Sequence, residues 1–487
     1  MSLAEPGARP APALPRILGQ IRPRSRWLEL RLLAFVVLVL VVGSASLGAT
    51  VRGRPEEGAD VLDPALWLPH DPMALGIYLG VLVAAHLAQV LAGRRTDQIL
   101  LPAVGLLGGI SLLLMQRLPQ DQVGSGFFGA EGLGQVQLVW LVLSLVVATT
   151  VGIAVRSDSW LRRYKYTWAA AGIALLLLTF AFGSVVGGQR LTLQVGPISG
   201  QPSELLKVIL VVFLAGYLSE NRALLVEQDT RIGPFRLPPI PYLVPMAAMW
   251  AIALGIVVVQ RDLGAALLFF GVFLLLLYAA TARISLVIGG LLAFFAGSAV
   301  LATLFEHIGT RVAIWLDPFV DPLGSGYQVV QSLHAFARGG LIGVGFGNGL
   351  PLVGGRVTIP EVHTDFPLAA LGEELGLIGV LAILGLYLVI IERGLRIGAA
   401  AADDFRGLLS TGLALVVGIQ AFIIAAGNLK VLPLTGVTLP FISYGGSSLL
   451  ANGLVIGLLL AMSDRGVEPP PPPRERRWRR LVRRGAD

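Results

Sequence analysis

Polar or ionisable residues stand within or beside apolar segments in four groups, and one of these groups begins at Asp365. It precedes an apolar run in IPEVHTDFPLAALGEELGLIGV (359–380). Partial desolvation at such a boundary raises the pKa of a carboxylic acid, which suits a general base. In a helix, Glu373 would lie about 12 Å deeper than Asp365, so the two could not share a proton. We expect Glu373 and Glu374 to be structural groups that face neighbouring helices, and His363 at most to position Asp365.

The other three groups have both structural and functional interpretations. In GQPSELLK, Glu204 and Lys207 are three residues apart and would share one helix face, either as a structural ion pair or as part of a site. In QRDLG, Asp262 suits the N-terminus of the following helix, where a simple cap is a sufficient role. LPFISYGGSS (439–448) is rich in the small residues that allow helices to pack closely, and packing alone would explain it.

The composition identifies the elements that must position these residues. Of 487 residues, 55% are hydrophobic and 14% are charged, whereas soluble domains carry about 25% charged residues. Uncharged runs such as 32–49 and 263–282 are long enough to span a membrane as helices. Their hydrophobicity is continuous, whereas a membrane β-barrel would show alternation. The chain is therefore predicted to be an all-α, polytopic integral membrane protein.

Several function classes are excluded or disfavoured by residue usage. The absence of cysteine excludes disulfides, thiolate metal sites and cysteine nucleophiles, and the five histidines lack zinc-ligand spacing. The net charge of +7 fits basic loops of a membrane protein better than nucleic-acid binding. The run GVGFGNG superficially resembles a phosphate loop, but no Lys-Ser/Thr pair follows it, so we do not expect nucleotide binding.

Apolar runs predict about twelve transmembrane helices. They lie near 31–50, 73–92, 98–116, 135–155, 166–186, 203–219, 242–260, 263–281, 284–305, 366–391, 407–427 and 444–462. Because Lys and Arg favour cytoplasmic loops, their distribution places both termini in the cytoplasm and all four groups in the outer half of the membrane. A cleaved signal peptide at the first span is the less favoured alternative, since a long polar segment precedes it.

Three of the segments outside the predicted spans are distinctive in length or composition. Residues 1–30 are rich in Pro and Arg and are expected to be a disordered cytoplasmic tail. Residues 464–487 form a Pro- and Arg-rich cytoplasmic tail, which is either solvated or in contact with anionic lipids. Residues 306–365 are predicted to be a large extracellular loop whose glycine-rich middle lies along the interface or re-enters the membrane. Together, an isolated carboxylate, nearby cations and a loop that covers them would suit a substrate that is an amphiphile with an anionic head group.

The motifs resemble the SEDS family, which includes the RodA and FtsW proteins. GGQR, QPSELLK, DLGAAL, DPLGSGYQVVQSLHAFARGGLIGVGFG, PEVHTDFPLAALGEELGLIG and LPLTGVTLPFISYGGSSLL occur in family order over about residues 98–463. The chain departs from the family at Leu191, where Trp is usual, and at Lys430, where many members have glycine. Residues 31–92 add two N-terminal spans to which the family pattern assigns no role.

The resemblance implies a ten-helix peptidoglycan glycosyltransferase of the bacterial plasma membrane. Its substrate would be lipid II, and the growing chain would pass from undecaprenyl pyrophosphate to the 4-hydroxyl of another lipid II. The resemblance implies that Asp365 is catalytic and that Glu204 and Lys207 line the same cavity. It also implies a class B penicillin-binding protein, a transpeptidase, as partner. The sequence does not distinguish elongation from division.

The chemistry of such a transfer assigns the remaining candidates. A single displacement with inversion is favoured, because a nucleophilic carboxylate would need a second carboxylate about 5 Å away. Lys207, Arg190 and Arg311 are candidate ligands of the pyrophosphate. Asp262 and His363 complete the candidate substrate-binding residues. A divalent cation, magnesium or manganese, is compatible with this chemistry, although no metal ligands are assigned.

Three other interpretations use the same architecture. A lipid flippase or transporter should show inverted repeats or broken helices, and no clear internal repeat is visible. An enzyme resembling O-antigen ligases would lack these motifs. A scaffold that only recruits the transpeptidase would tolerate loss of Asp365. Polymerisation of labelled lipid II by the purified protein distinguishes these interpretations.

Overall fold

The computed structural model describes residues 25–52, 68–122 and 130–464, with short gaps at 187–188, 196–197, 228–229, 233–234, 238–239, 260–261, 305, 350–351 and 354–355. The helices in this part of the chain are α1 (Trp27–Arg52), α2 (Pro72–Leu91), α3 (Leu100–Arg117), α4 (Gly132–Ala154), α5 (Ser159–Arg163), α6 (Lys165–Phe182), α7 (Pro202–Glu227), α8 (Ile240–Val259), α9 (Leu263–Thr281), α10 (Ile284–Leu304), α11 (Glu306–Leu316), α12 (Tyr327–Gly339), α13 (Pro367–Ala399), α14 (Asp404–Asn428) and α15 (Gly446–Ser463). The all-α prediction is confirmed.

The strands form small antiparallel sheets in the connections. They are β1 (Ser184–Val186), β2 (Gln189–Val195), β3 (Ile198–Gly200), β4 (Thr230–Ile232), β5 (Phe235–Leu237), β6 (Leu352–Val353) and β7 (Arg356–Val357). The first three strands pair in the order β1-β2-β3, β4 pairs with β5, and β6 pairs with β7. In register, Ser184 lies opposite Thr192 and Leu193 opposite Gly200.

Ten helices of the described residues are long and apolar enough to cross a membrane: α1 to α4, α6, α7, α9 and α13 to α15. Helices α8 and α10 occupy the two remaining predicted spans, and the total of twelve spans stays a prediction. Helix α1 begins at Trp27, so the predicted disordered tail of residues 1–30 extends too far. The physical reason is that Arg26 and Glu29 are buried and paired with each other, which stabilises the first turn. Residues 1–24 and 465–487 lie outside the described residues.

Charged pairs gather at one end of the helical bundle, which we call the basic end. Arg94 pairs with Asp464 at 2.8 Å, and Arg406 with Asp158 at 3.3 Å. Asp97, just before α3, pairs with Arg393 near the C-terminus of α13 at 2.5 Å. The opposite end, the site end, carries the junctions before α7, α9, α13 and α15. The Gln201 amide N–H donates to Ser447 there, and the Gln201 side chain contacts Asp262 at 3.3 Å.

Residues 306–365 contain α11, α12 and a glycine-rich segment (340–349) that lies beside α13. The amide N–H groups of Val344 and Gly345 donate to the carbonyls of Glu373 and Glu374, both at 3.0 Å. Helix α13 is non-helical at Gly376, with φ 65° and ψ −169°. The glycine-rich segment therefore supplies donors to carbonyls that the interrupted helix leaves available, which is the condition for irregular backbone at membrane depth.

The glycines of this segment allow its backbone to approach α13 closely. Gly343 has φ 83°, and a Cβ there would lie 2.1 Å from the Glu374 carbonyl oxygen. Glu374 also pairs with Arg117 of α3 at 2.5 Å, and Glu373 with Arg338 of α12 at 2.9 Å. The expectation that both glutamates face neighbouring helices is confirmed.

Candidate active site

Asp365 lies in a turn whose backbone is held from two other segments. The Asn428 side chain, at the end of α14, donates to the Asp365 carbonyl oxygen at 2.8 Å. Before α15, the Ser443 hydroxyl donates to the Thr364 carbonyl at 2.6 Å, and the Tyr444 amide N–H donates to the His363 carbonyl at 2.7 Å. Three consecutive carbonyl groups are thus fixed, and these bonds leave the Asp365 carboxylate available for other contacts.

Burial raises the pKa of the Asp365 carboxyl to about 6. The negative charge of Glu361 raises this pKa further, whereas the positive charge of Arg311 and a hydrogen bond from Thr364 lower it. Glu361 has φ 53°, a left-handed conformation that closes the turn through its carbonyl, which accepts the Asp365 amide N–H at 2.9 Å. At neutral pH the Asp365 carboxylate is therefore ionised and able to accept a proton.

The Asp365 side chain lines a cavity of about 210 Å³. The other lining residues come from α11, the start of α12 and the residues just before it, the end of α14 and the segment that follows it: Arg311, Ile314, Trp315, Ser325, Gln328, Val329, Gly427, Lys430, Leu432, Leu434 and Gly436. Asp365 is the one carboxylate and Arg311 and Lys430 are the two cations among these residues. The cavity therefore combines a base with positive charge, as the sequence predicted for Asp365 and Arg311.

His363 is not among the residues that line this cavity. Its side chain is buried, and its ring centroid lies 5.7 Å from that of Tyr444. Burial lowers the pKa of His363, although the charge of Glu361 opposes this, so the imidazole is neutral at neutral pH. A positioning role for His363 through the turn agrees with this location.

Glu204, Lys207 and Asp262 form a second cluster at the site end. The ammonium group of Lys207 donates to Glu204 at 2.6 Å, to Gln420 at 2.9 Å and to Asn452 at 3.1 Å. Only 1% of the Lys207 side chain is exposed, and its three N–H donors match these three acceptors. Lys207 therefore has no further N–H for a phosphate in this conformation.

Asp262 acts as the predicted helix cap and also joins this cluster. Its carboxylate accepts the Ala265 amide N–H at 2.9 Å and contacts the hydroxyl of Ser203 at 3.4 Å. Burial raises the pKa of Asp262, while the hydrogen bond from Ala265 lowers it. The Asp262 carboxylate thus caps the start of α9 and also contacts residues at the start of α7.

The segment 429–445 contacts both the cavity residue Arg311 and this second cluster. Arg311 contacts the carbonyls of Leu434 at 3.4 Å and Thr435 at 3.3 Å. The Gln420 side chain donates to the Thr438 carbonyl at 2.9 Å, and Glu204 contacts the Thr438 hydroxyl at 3.5 Å. In this conformation the two groups contact different residues of one segment, and Glu204 and Lys207 are not among the residues that line the cavity of Asp365.

Two further predictions concern Arg190 and metal ions. Arg190 belongs to β2, opposite Val185, and its side chain lies outside the described part of the structure. Within the described residues, no group of three or more His, Cys, Asp or Glu side chains is placed to hold a metal ion.

Sequence reasoning missed the residues that hold the turn and complete the Lys207 site. Asn428, Gln420 and Asn452 stand alone in apolar helices, and an isolated amide there is a signal, because a buried polar group requires a partner. Lys430 was noticed only as a departure from the family pattern, yet it lines the cavity.

The chain is similar to known proteins over most of its length. The family described as cell cycle protein (FtsW, RodA, SpoVE) matches residues 98–466. The chain is 38% identical over 451 residues to the peptidoglycan glycosyltransferase RodA of Mycobacterium tuberculosis, and the match covers 92% of each chain. It is 36% identical over 317 residues to a probable peptidoglycan glycosyltransferase FtsW of Geobacter metallireducens, covering 64% of this chain and 80% of the relative.

Two solved structures share the fold. A chain of a peptidoglycan synthase complex that coordinates polymerization and crosslinking matches with a TM-score of 0.59 and 28% identity, over 76% of this chain and 98% of that chain. The rod shape determining protein RodA of Thermus thermophilus matches with a TM-score of 0.53 and 24% identity, over 77% of this chain and 99% of that chain. This second likeness concerns the fold alone.

We expect Lys207→Met to lower the free energy of unfolding by about 3–5 kcal/mol, because it leaves Glu204 without its buried partner. Denaturant unfolding of the detergent-solubilised protein measures this change. The control is Arg222→Met, since the pair of Arg222 with Asp404 is about half exposed and should contribute less than about 1 kcal/mol.

The double variant Lys207→Met/Glu204→Gln removes both charges and should regain much of the stability. If the double variant regains stability but not glycan polymerisation, the Glu204–Lys207 pair also has a role in the active site. If it regains both, the pair is only structural. A single variant as stable as the parent chain would contradict the buried pair.

Proposed function

The chain belongs to the FtsW, RodA and SpoVE family and is a peptidoglycan glycosyltransferase, and we propose that it polymerises glycan strands from lipid II with Asp365 as the general base. The observation that carries this proposal is the Asp365 cavity. Its single carboxylate has a pKa of about 6, its backbone is held by separate residues, and two cations share the space.

The proposed step is one displacement at an anomeric carbon. The 4-hydroxyl oxygen of the acceptor sugar forms a bond to C1 of the donor sugar chain, while the bond from C1 to the diphosphate oxygen breaks. Undecaprenyl pyrophosphate leaves with the electron pair, and the hydroxyl proton passes to the Asp365 carboxylate and then to water. The configuration at C1 inverts. Charge on the leaving diphosphate is stabilised by Arg311, the cation of the cavity that the sequence assigned to the pyrophosphate.

Glu204 and Lys207 have a supporting role in this proposal. Through Thr438 and Gln420 they contact the segment that carries Leu434 and Thr435, which in turn contacts Arg311. They would hold the cavity wall in place, and the same position lets them contact a sugar if the segment moves. Asp262 and Arg190 are proposed substrate contacts on the same end of the bundle.

We also propose a class B penicillin-binding protein as partner and a substrate-borne divalent cation. The similar chain in the peptidoglycan synthase complex, which coordinates polymerization and crosslinking, supports the first. Magnesium commonly binds through substrate phosphates, so the diphosphate of the substrate would hold such an ion. When bound, the ion would neutralise diphosphate charge.

Asp365→Asn should lower glycan polymerisation at least about hundredfold, because it keeps the side-chain volume and removes the base. Gel analysis of products from labelled lipid II and the purified protein measures the rate, and the unfolding temperature checks the fold. Polymerisation within tenfold of the parent rate would remove the catalytic assignment and favour the scaffold interpretation.

At low lipid II concentration, where the rate reports the free protein, the rate of the parent chain should fall about tenfold per pH unit as the pH drops below about 6, because protonated Asp365 cannot accept a proton. The folded-state pKa is raised, so the contribution of this group to stability is present below pH 3.8 and lost as the pH rises through 6. Asp365→Asn should therefore be at least as stable as the parent at pH 7.5. A flat rate from pH 7 to pH 5, with the protein still folded, would contradict this prediction.

The protein is a multi-pass membrane protein, and we propose that both termini are cytoplasmic and that the site end faces outward. The arginines of the basic end support this orientation. The chain has no cysteine, so single cysteines can be introduced at Glu361, which is exposed at the site end, and at Ser157, which is exposed at the basic end. In intact cells an impermeant thiol reagent should label Glu361→Cys and leave Ser157→Cys unlabelled. The reverse pattern would overturn the orientation.

A further inference from the structure

Lys430 adopts a backbone conformation that favours glycine. Its φ is 57°, and it is one of four non-glycine residues with positive φ in the described part of the chain. A side chain in this left-handed region costs about 1 kcal/mol, and residues held in such conformations cluster at ligand sites.

The strain has a local origin at the end of α14. The amide N–H of Lys430 donates to the Gly427 carbonyl at 3.2 Å, and that of Val431 donates to the Ala426 carbonyl at 2.7 Å. These two bonds form a Schellman motif, in which the residue at the position of Lys430 is most often glycine. A bland role for a lysine there is to neutralise the carbonyl end of the helix. The Lys430 ammonium does not turn back to α14: it donates to the Leu316 carbonyl at the C-terminus of α11 at 3.2 Å, and Lys430 lines the cavity.

The two cations of the cavity have contacts only with backbone oxygens in the described structure. Lys430 contacts the Leu316 carbonyl, and Arg311 contacts the carbonyls of Leu434 and Thr435 at 3.4 and 3.3 Å. Within the described residues, no carboxylate lies within 4.0 Å of either cation. Two cations facing one carboxylate leave net positive charge, and the first turn of α12 adds the positive end of its dipole.

The geometry points to Lys430, together with Arg311, as the binding site for the diphosphate of a polyprenyl-linked substrate. This inference rests on the proposed function and adds Lys430 to it. Lipid II carries a diphosphate whether it acts as the donor or as the acceptor. The position of Asp365 distinguishes these two diphosphates. The attacking oxygen and the donor diphosphate flank the same carbon, whereas the acceptor diphosphate lies at the far end of the acceptor disaccharide. A diphosphate that shares one small cavity with the base is therefore that of the donor.

Direct binding tests this inference without relying on polymerisation. The parent chain in nanodiscs should bind undecaprenyl pyrophosphate more tightly than undecaprenyl monophosphate. Lys430→Gln should weaken binding of the diphosphate by about tenfold to hundredfold, as expected for loss of a hydrogen bond between charged groups. Binding of the monophosphate should change less. Lys430→Arg should retain the preference, and Arg163→Gln, an exposed residue at the basic end, controls for the loss of one positive charge.

Lys430→Gly separates the charge from the backbone. It should raise the unfolding temperature, because glycine removes the cost of the positive φ, and it should weaken diphosphate binding as Lys430→Gln does. Parent-like diphosphate affinity in both variants would overturn the inference. Asp365→Asn should bind the diphosphate at least as tightly as the parent, since it removes a negative charge. If Asp365→Asn still polymerises while Lys430→Gln loses binding, the proposed base is wrong and the diphosphate site stands.

Discussion

The site depends on a turn that is held by its carbonyl groups. Asn428, Ser443 and Tyr444 bond to three consecutive carbonyl oxygens that end at Asp365, and thus fix the backbone while the carboxylate keeps its capacity to accept a proton. Hydrogen bonds to a carboxylate lower its pKa, and at Asp365 the bond from Thr364 does so, but burial outweighs it and raises the pKa. Because the three donors come from the end of α14 and the segment just before α15, packing of these two helices also positions the base.

Local spacing explains which parts of the site could be predicted from the sequence. The pair of Glu204 with Lys207 and the cap at Asp262 involve residues at most three apart, and helix geometry brings such residues together. Their further partners, Gln420 and Asn452, are 213 and 245 residues away from Lys207, and no local pattern identifies them. The same is true of Asn428, which is 63 residues away from Asp365. The glycine run at 343–349 was not assigned to nucleotides, and its packing against α13 became visible only in the structure.

Buried charged contacts at the basic end join the two N-terminal helices to the family core. The buried Glu29 of α1 pairs with Arg26 and contacts His86 of α2 at 2.6 Å. Arg26 also donates to the Thr96 hydroxyl at 2.8 Å, one residue before Asp97, which pairs with Arg393 of α13. These buried contacts link α1 and α2 to the segment 96–97 that precedes α3.

Donor binding and base strength are physically coupled in the proposed mechanism. In the free protein, Arg311 lowers the pKa of Asp365 while burial and Glu361 raise it, which gives a value of about 6. A diphosphate bound by Arg311 and Lys430 would neutralise the charge that lowers this pKa and would bring negative charge of its own. The proton affinity of Asp365 would then rise toward the working pH, where a general base is most effective. The base would become strongest when the donor is in place, and a cavity filled by the donor leaves less room for a competing water molecule.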